Sequence, residues 1–142
     1  MSAINEWFGS YNSTFTYILR TYGQEELDQY LQYLADVPAC DLSEAYRKGG
    51  LEAVEADYAK NFRMDGDENS VRTTRSADQL TMEVRCPAFF NSPEAPHEDK
   101  RVGDFFCSCC AKLNKGILAN AGFDLDIRMT GKGTCVWTVQ PK

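Results

Sequence analysis

The chain has 142 residues, of which 43% are hydrophobic and 25% are charged, and its formal net charge is −6. This length suits one hydrophobic core and is short for two domains, and the negative charge without a Lys/Arg cluster argues against a nucleic-acid partner. The sequence shows no apolar run as long as a membrane span and no basic, then apolar, leader at its start, so we expect a cytoplasmic protein without a membrane partner.

Residues 1–64 are predicted to be helical, because apolar side chains recur there every three or four residues. A first helix ends at Gly23, a second runs from Gln24 to Val37, and a third from Ser43 to Phe62. The pair Gly49-Gly50 predicts a kink in the third helix, since glycine costs about 1 kcal/mol relative to alanine in a helix. We interpret the aromatic stripes as core, although they could also line a pocket for a flat ligand.

In residues 70–140, apolar and polar side chains alternate with a period of two in two segments, and one further helix lies between these segments. Two strands, 71–76 and 80–86, form a first hairpin, and a second hairpin follows from Phe123, with a turn at Gly131-Lys132-Gly133. Alternation places Cys86 and Cys135 on the apolar faces of their strands. The sequence thus predicts a single α+β domain, in which helices cover one face of a four-stranded antiparallel sheet made of two hairpins.

The helix between the hairpins carries three cysteines. Gly103-Asp104 is typical of a helix start, with the Asp104 side chain as the predicted cap, and Ala121-Gly122 of its end. Cys107 and Cys110 lie three residues apart and share a face, whereas Cys109 is rotated away, so we expect Cys109→Ser to be tolerated. A thiol near a helix N-terminus is also biased toward the thiolate.

If this helix lies on the apolar face of the sheet, four cysteines look into one layer: Cys86, Cys107, Cys110 and Cys135. Four thiolates are the ligand count of a zinc site, which we expect in preference to an iron–sulfur cluster with the same ligand count. Because the chain is large enough to form a stable hydrophobic core without disulfide cross-links, we expect reduced thiols rather than disulfides between distant segments.

Two alternatives remain open for these cysteines. Free cysteine is among the most buried residue types, so all four could simply fill the core. Alternatively, Cys107 or Cys110 could be a catalytic nucleophile, with His97 or a neighbouring carboxylate from the Pro-rich loop 91–100 as proton shuttle.

The second half of the chain resembles the L-2-amino-thiazoline-4-carboxylic acid hydrolase family and, more distantly, small 4-vinyl-reductase-like ligand-binding domains. The resemblance covers about residues 80–139 and rests on three motifs, which are Cys86-Pro87-Ala88-Phe89-Phe90, the helical Phe106-Cys107-Ser108-Cys109-Cys110, and the late Gly131-Lys132-Gly133-Thr134-Cys135. The extra Cys109 departs from the usual spacing of the helical motif.

The resemblance implies a hydrolase that opens a small cyclic amidine, or else a non-enzymatic regulatory domain that binds a small ligand or a metal. A thiolate or a metal-bound water would attack the amidine carbon in the enzyme. Arg85 or Arg128 is available for the substrate carboxylate, although alternation points both away from the apolar face. A small molecule is therefore the expected partner, and an oligomer stays open.

Overall fold

The computed structural model describes residues 3–63, 69–85, 103–131 and 133–142, and side chains from position 8 onward. Within these ranges lie four helices and four strands. The helices are α1 (Ala3–Tyr22), α2 (Gln24–Asp36), α3 (Cys40–Phe62) and α4 (Asp104–Asn120), and the strands are β1 (Val71–Arg75), β2 (Leu80–Arg85), β3 (Phe123–Gly131) and β4 (Thr134–Pro141). The predicted α+β class is confirmed.

In the helical half, the helix boundary and the kink that were predicted at glycines are both present. Gly23 separates α1 from α2 with φ of 95°, a left-handed value that glycine adopts without steric cost. The predicted kink in α3 is confirmed, because Gly50 has φ of 68° and ψ of −160° inside the helix. The start of α3 at Cys40 rather than Ser43 differs from the prediction, since Cys40 and Asp41 are exposed and give no apolar signal.

The four strands form one antiparallel sheet in the order β1-β2-β4-β3, with the two predicted hairpins joined where β2 pairs with β4. Met82 lies opposite Trp137 and Val84 opposite Cys135 across this central pair. The alternate side chains of one face are buried, namely Leu80, Met82, Val84, Trp137 and Val139. The predicted apolar face of the sheet is therefore confirmed.

The helices pack in two layers on this face of the sheet. α3 and α4 contact the strands, and the principal neighbours of α1 are α2 and α4. α2 approaches α4 closely at Gly116, where an added Cβ would stand 2.9 Å from the Cβ of Ala35. The result is two apolar clusters, one between the sheet and its helices and one between α1, α2 and the start of α4, and both include Cys110 and Leu113 at their edges.

Among the described residues, no helix has the length and apolar character needed to cross a bilayer.

Candidate functional site

Two of the predicted site residues, Cys86 and His97, lie outside the described residues. The Cys-Pro motif of the family resemblance and the Pro-rich loop lie there as well. The roles assigned to Cys86 and His97 therefore stay predictions.

The N-terminus of α4 differs from the prediction in its cap. Gly103 is the capping residue, with extended backbone, and Asp104 is already the first helical residue. No side-chain hydrogen bond caps this end, so the capping role predicted for Asp104 is wrong. Asp104 instead places a negative charge in the first turn, which is the favourable sign at a helix N-terminus.

The three cysteines of α4 face different surroundings. Cys107 and Cys110 are half-buried, whereas Cys109 is only 2% exposed and packs with Phe15, Leu27 and other side chains of the cluster between α1, α2 and α4. Cys109 is rotated off the shared face, as predicted, but it meets α1 and α2 there rather than water. A serine at position 109 would bury a hydroxyl among apolar groups, which does not favour the tolerance expected from sequence.

Cys135 points toward the helix-covered side of the sheet, as alternation predicted, and packs against the core between sheet and helices. Its Sγ accepts a hydrogen bond from Nε1 of Trp137 at 3.1 Å. Among the described residues, no group of three or more His, Cys, Asp or Glu side chains could hold a metal ion. Cys107, Cys110 and Cys135 thus make no metal site on their own, and the four-cysteine zinc or iron–sulfur site stays a prediction.

The protonation of Cys107 opposes the bias expected from the helix N-terminus. Burial raises the pKa of this thiol to about 11, and its electrostatic interactions with Cys135 and with the Asp104 carboxylate act in the same direction. Burial also raises the pKa of Cys109 and of Cys135. All five described cysteines are free thiols. A cysteine hydrolase would need a further group to deprotonate Cys107, so the hydrolase hypothesis also stays a prediction.

We expect Cys107 to react slowly with iodoacetamide at pH 8, because a thiol with a pKa of about 11 holds about one thiolate per thousand molecules there. The rate should rise about tenfold for each pH unit up to about pH 11. Peptide mapping of the partly alkylated protein measures it, with exposed Cys40 as the reference thiol. Equal labelling of Cys107 and Cys40 at pH 8 would contradict this expectation and favour a reactive thiolate.

A cavity of about 840 Å³ lies where the two apolar clusters meet. This volume falls within the range of about 300 to 1,000 Å³ that is usual for small-molecule sites. Its walls come from all four helices and from β4, and they include Phe15, Leu34, Leu42, Phe106 and Ile117. Of the predicted site residues within the described ranges, Cys110 alone lines it.

The polar groups inside the cavity hydrogen-bond to one another. The hydroxyl of Tyr58 donates to Oδ1 of Asn114 at 2.6 Å, and Nδ2 of Asn114 donates to the carbonyl oxygen of Cys110 at 2.8 Å and to its Sγ at 3.3 Å. Burial also raises the pKa of Tyr58 well above its usual value, so the hydroxyl stays protonated and keeps donating. With its polar groups engaged in this way, the interior presents mainly carbon to a ligand.

The rim of the cavity is polar and positive. Lys60 and Asn61 at the C-terminal end of α3, and Arg63 just after that end, line the cavity and are exposed. Arg85 and Arg128, the predicted substrate anchors, are also exposed but do not line it, as their place in the alternation implied.

The aromatic stripes, for which the sequence favours a core over a pocket, form part of the wall of this cavity. Tyr58 and Phe62 of α3 recur at helical spacing, and Trp137 lies on the apolar face of β4. The three rings contact one another, with centroids 5.4 Å apart for Tyr58 and Trp137 and 5.2 Å apart for Phe62 and Trp137. The one available signal was the excess of aromatic residues in the helical half.

No protein-family model and no curated protein matches the sequence. Among solved structures, the chain is similar to the crystal structure of a trafficking protein particle complex subunit 3 from Naegleria fowleri, which is described as covalently bound to palmitic acid. The two share 16% sequence identity at a TM-score of 0.50, over 98% of this chain and 95% of that chain. This likeness supports the arrangement of helices and strands described above.

Proposed function

We propose that this protein is a non-enzymatic binding module that holds one small apolar ligand with an alkyl chain, reversibly, in the cavity between its helices and β4. The observation that carries the proposal is the cavity itself, about 840 Å³ of space with a mainly aromatic and aliphatic wall. A large, well-formed apolar pocket with few polar groups is the usual form of a small-molecule site.

The energetics favour an extended hydrocarbon. Each buried CH₂ group contributes about 0.8 kcal/mol, so a ten-carbon chain gains about 8 kcal/mol before the cost of association, which is at least about 4 kcal/mol. A ligand of this length would therefore bind measurably without any specific polar contact.

The structural neighbour supports the same class of ligand. The Naegleria protein, of similar fold, is described with palmitic acid, which is a long alkyl chain ending in a carboxyl group. Its palmitic acid is described as covalently bound, whereas the proposal for this chain needs no covalent bond.

The proposal predicts that straight-chain 1-alkanols bind one to one and that the dissociation constant falls up to about fourfold for each added CH₂ group, until the cavity is filled. Because Trp137 lines the cavity, its fluorescence should report binding in a Trp7→Phe variant, which keeps Trp137 as the single tryptophan. The titration runs from 1-hexanol to 1-dodecanol, and native mass spectrometry gives the stoichiometry.

An affinity that does not depend on chain length, or a fluorescence change that does not saturate, would contradict the proposal. A mass increase that persists under denaturing conditions would contradict its reversible character.

A further inference from the structure

The rim of the cavity differs in charge from its interior. Lys60 and Arg63 bring two cations to the opening, and Asn61 between them adds an amide. The chain as a whole carries a net charge of −6, so the described charged residues of the rim, Lys60 and Arg63, have the sign opposite to that of the chain.

Asp57, the acidic residue of α3 that is closest to Lys60 in sequence, is hydrogen-bonded to other groups. The carboxylate of Asp57 accepts hydrogen bonds from the hydroxyl of Tyr46 and, at 3.5 Å, from Nδ2 of Asn61. The ion pairs Arg47–Glu44, Arg75–Glu55 and Lys112–Asp28 involve residues that do not line the cavity. Within the described ranges, the cationic groups of Lys60 and Arg63 are thus available at the rim.

We infer that the ligand is an amphiphile with a single negative headgroup, a long-chain monocarboxylate, whose carboxylate meets Lys60 and Arg63 while its alkyl chain enters the cavity. This inference rests on the proposed function and names its ligand class. An arginine guanidinium can hold a carboxylate through two parallel hydrogen bonds, and a lysine ammonium adds a point charge beside it. The carboxylate stays at the exposed rim and keeps part of its hydration, so it need not pay the large cost of burying a charge.

A headgroup with several charges fits less well. The net charge of −6 repels polyanions, and among the described residues that line the cavity two cations, Lys60 and Arg63, oppose that repulsion. A ligand with one carboxylate is repelled less by the net negative charge than a polyanion is, and its single charge can be met by these two cations.

The test compares sodium decanoate with 1-decanol, which have the same ten-carbon length but differ in charge. At pH 8 and low salt we expect decanoate to bind about tenfold more tightly, and we expect this preference to shrink as sodium chloride is raised, because exposed charges are screened. In the double variant Lys60→Gln with Arg63→Gln, the ratio of decanoate affinity to 1-decanol affinity should fall to about one.

The matched control is the double variant Lys115→Gln with Lys142→Gln, which removes the same net charge at exposed positions away from the cavity and should keep the preference. Equal binding of both probes by the wild type, or a preference that survives in the Lys60 and Arg63 variant, would overturn the inference and leave the proposed function standing. Failure of both probes to bind would overturn the two together.

Discussion

Cys110→Trp is expected to weaken the binding of 1-decanol at least about tenfold, a loss of about 1.4 kcal/mol or more. Cys110 lines the cavity from α4, at the edge of both apolar clusters, so an indole at this position occupies space that the ligand would otherwise take. Isothermal titration calorimetry of both proteins measures the difference.

Two control variants separate filled volume from lost thiol chemistry. Cys110→Ser keeps the size of the side chain and should bind 1-decanol with an affinity close to that of the wild type. Lys115→Trp adds the same indole to an exposed position of the same helix and should have no effect. A loss of binding in Cys110→Ser as large as in Cys110→Trp would mean that the sulfur itself holds the ligand, contrary to the proposal that the alkyl chain is held by apolar contacts.

Trp137→Ala is expected to lower the free energy of unfolding by about 3 to 5 kcal/mol, the usual cost of truncating a large buried aromatic residue. Trp137 is 3% exposed on the central strand pair, and its ring contacts those of Tyr58 and Phe62. Its removal would also leave Sγ of Cys135 without the hydrogen bond from the indole. Urea denaturation followed by circular dichroism measures the change.

Trp137→Phe is the informative control, because it keeps an aromatic ring in the sheet core and removes the indole N–H. We expect it to cost clearly less than Trp137→Ala. Gln140→Ala, on the exposed end of the same strand, should stay within about 0.5 kcal/mol of the wild type. A Trp137→Ala variant as stable as Gln140→Ala would show that the sheet and its helices do not share the core described here.

Local patterns were enough to predict the elements of this protein. Gly23 and the pair Gly49-Gly50 marked a helix boundary and a kink because glycine alone enters left-handed backbone without cost, and Gly50 does so inside α3. The alternation in β2 and β4 placed Met82 and Trp137 on the buried face, since side chains on a strand point to opposite sides in turn. These inferences need only the period of one element.

The site required information that no single period contains. Whether an aromatic stripe fills a core or lines a cavity depends on how closely the opposite wall approaches, and Tyr58 and Phe62 look the same in both cases along the sequence. The same applies to the cysteines, because helical spacing places Cys109 off the face shared by Cys107 and Cys110 but does not say that α1 and α2 bury it. Nor does that spacing reveal that burial outweighs the helix N-terminus and raises the pKa of Cys107.

The sequence by itself therefore determined the α+β class, the order of helices and hairpins, and the buried face of the sheet, because each follows from the periodicity and turn chemistry of short segments. Only the tertiary structure decided that the four helices and β4 enclose a cavity, that Cys110 lines it, and that Lys60 and Arg63 stand at its rim. The physical reason is that a cavity is a gap left between elements that are distant in sequence, and its shape depends on their separation and angle rather than on the pattern within any one of them.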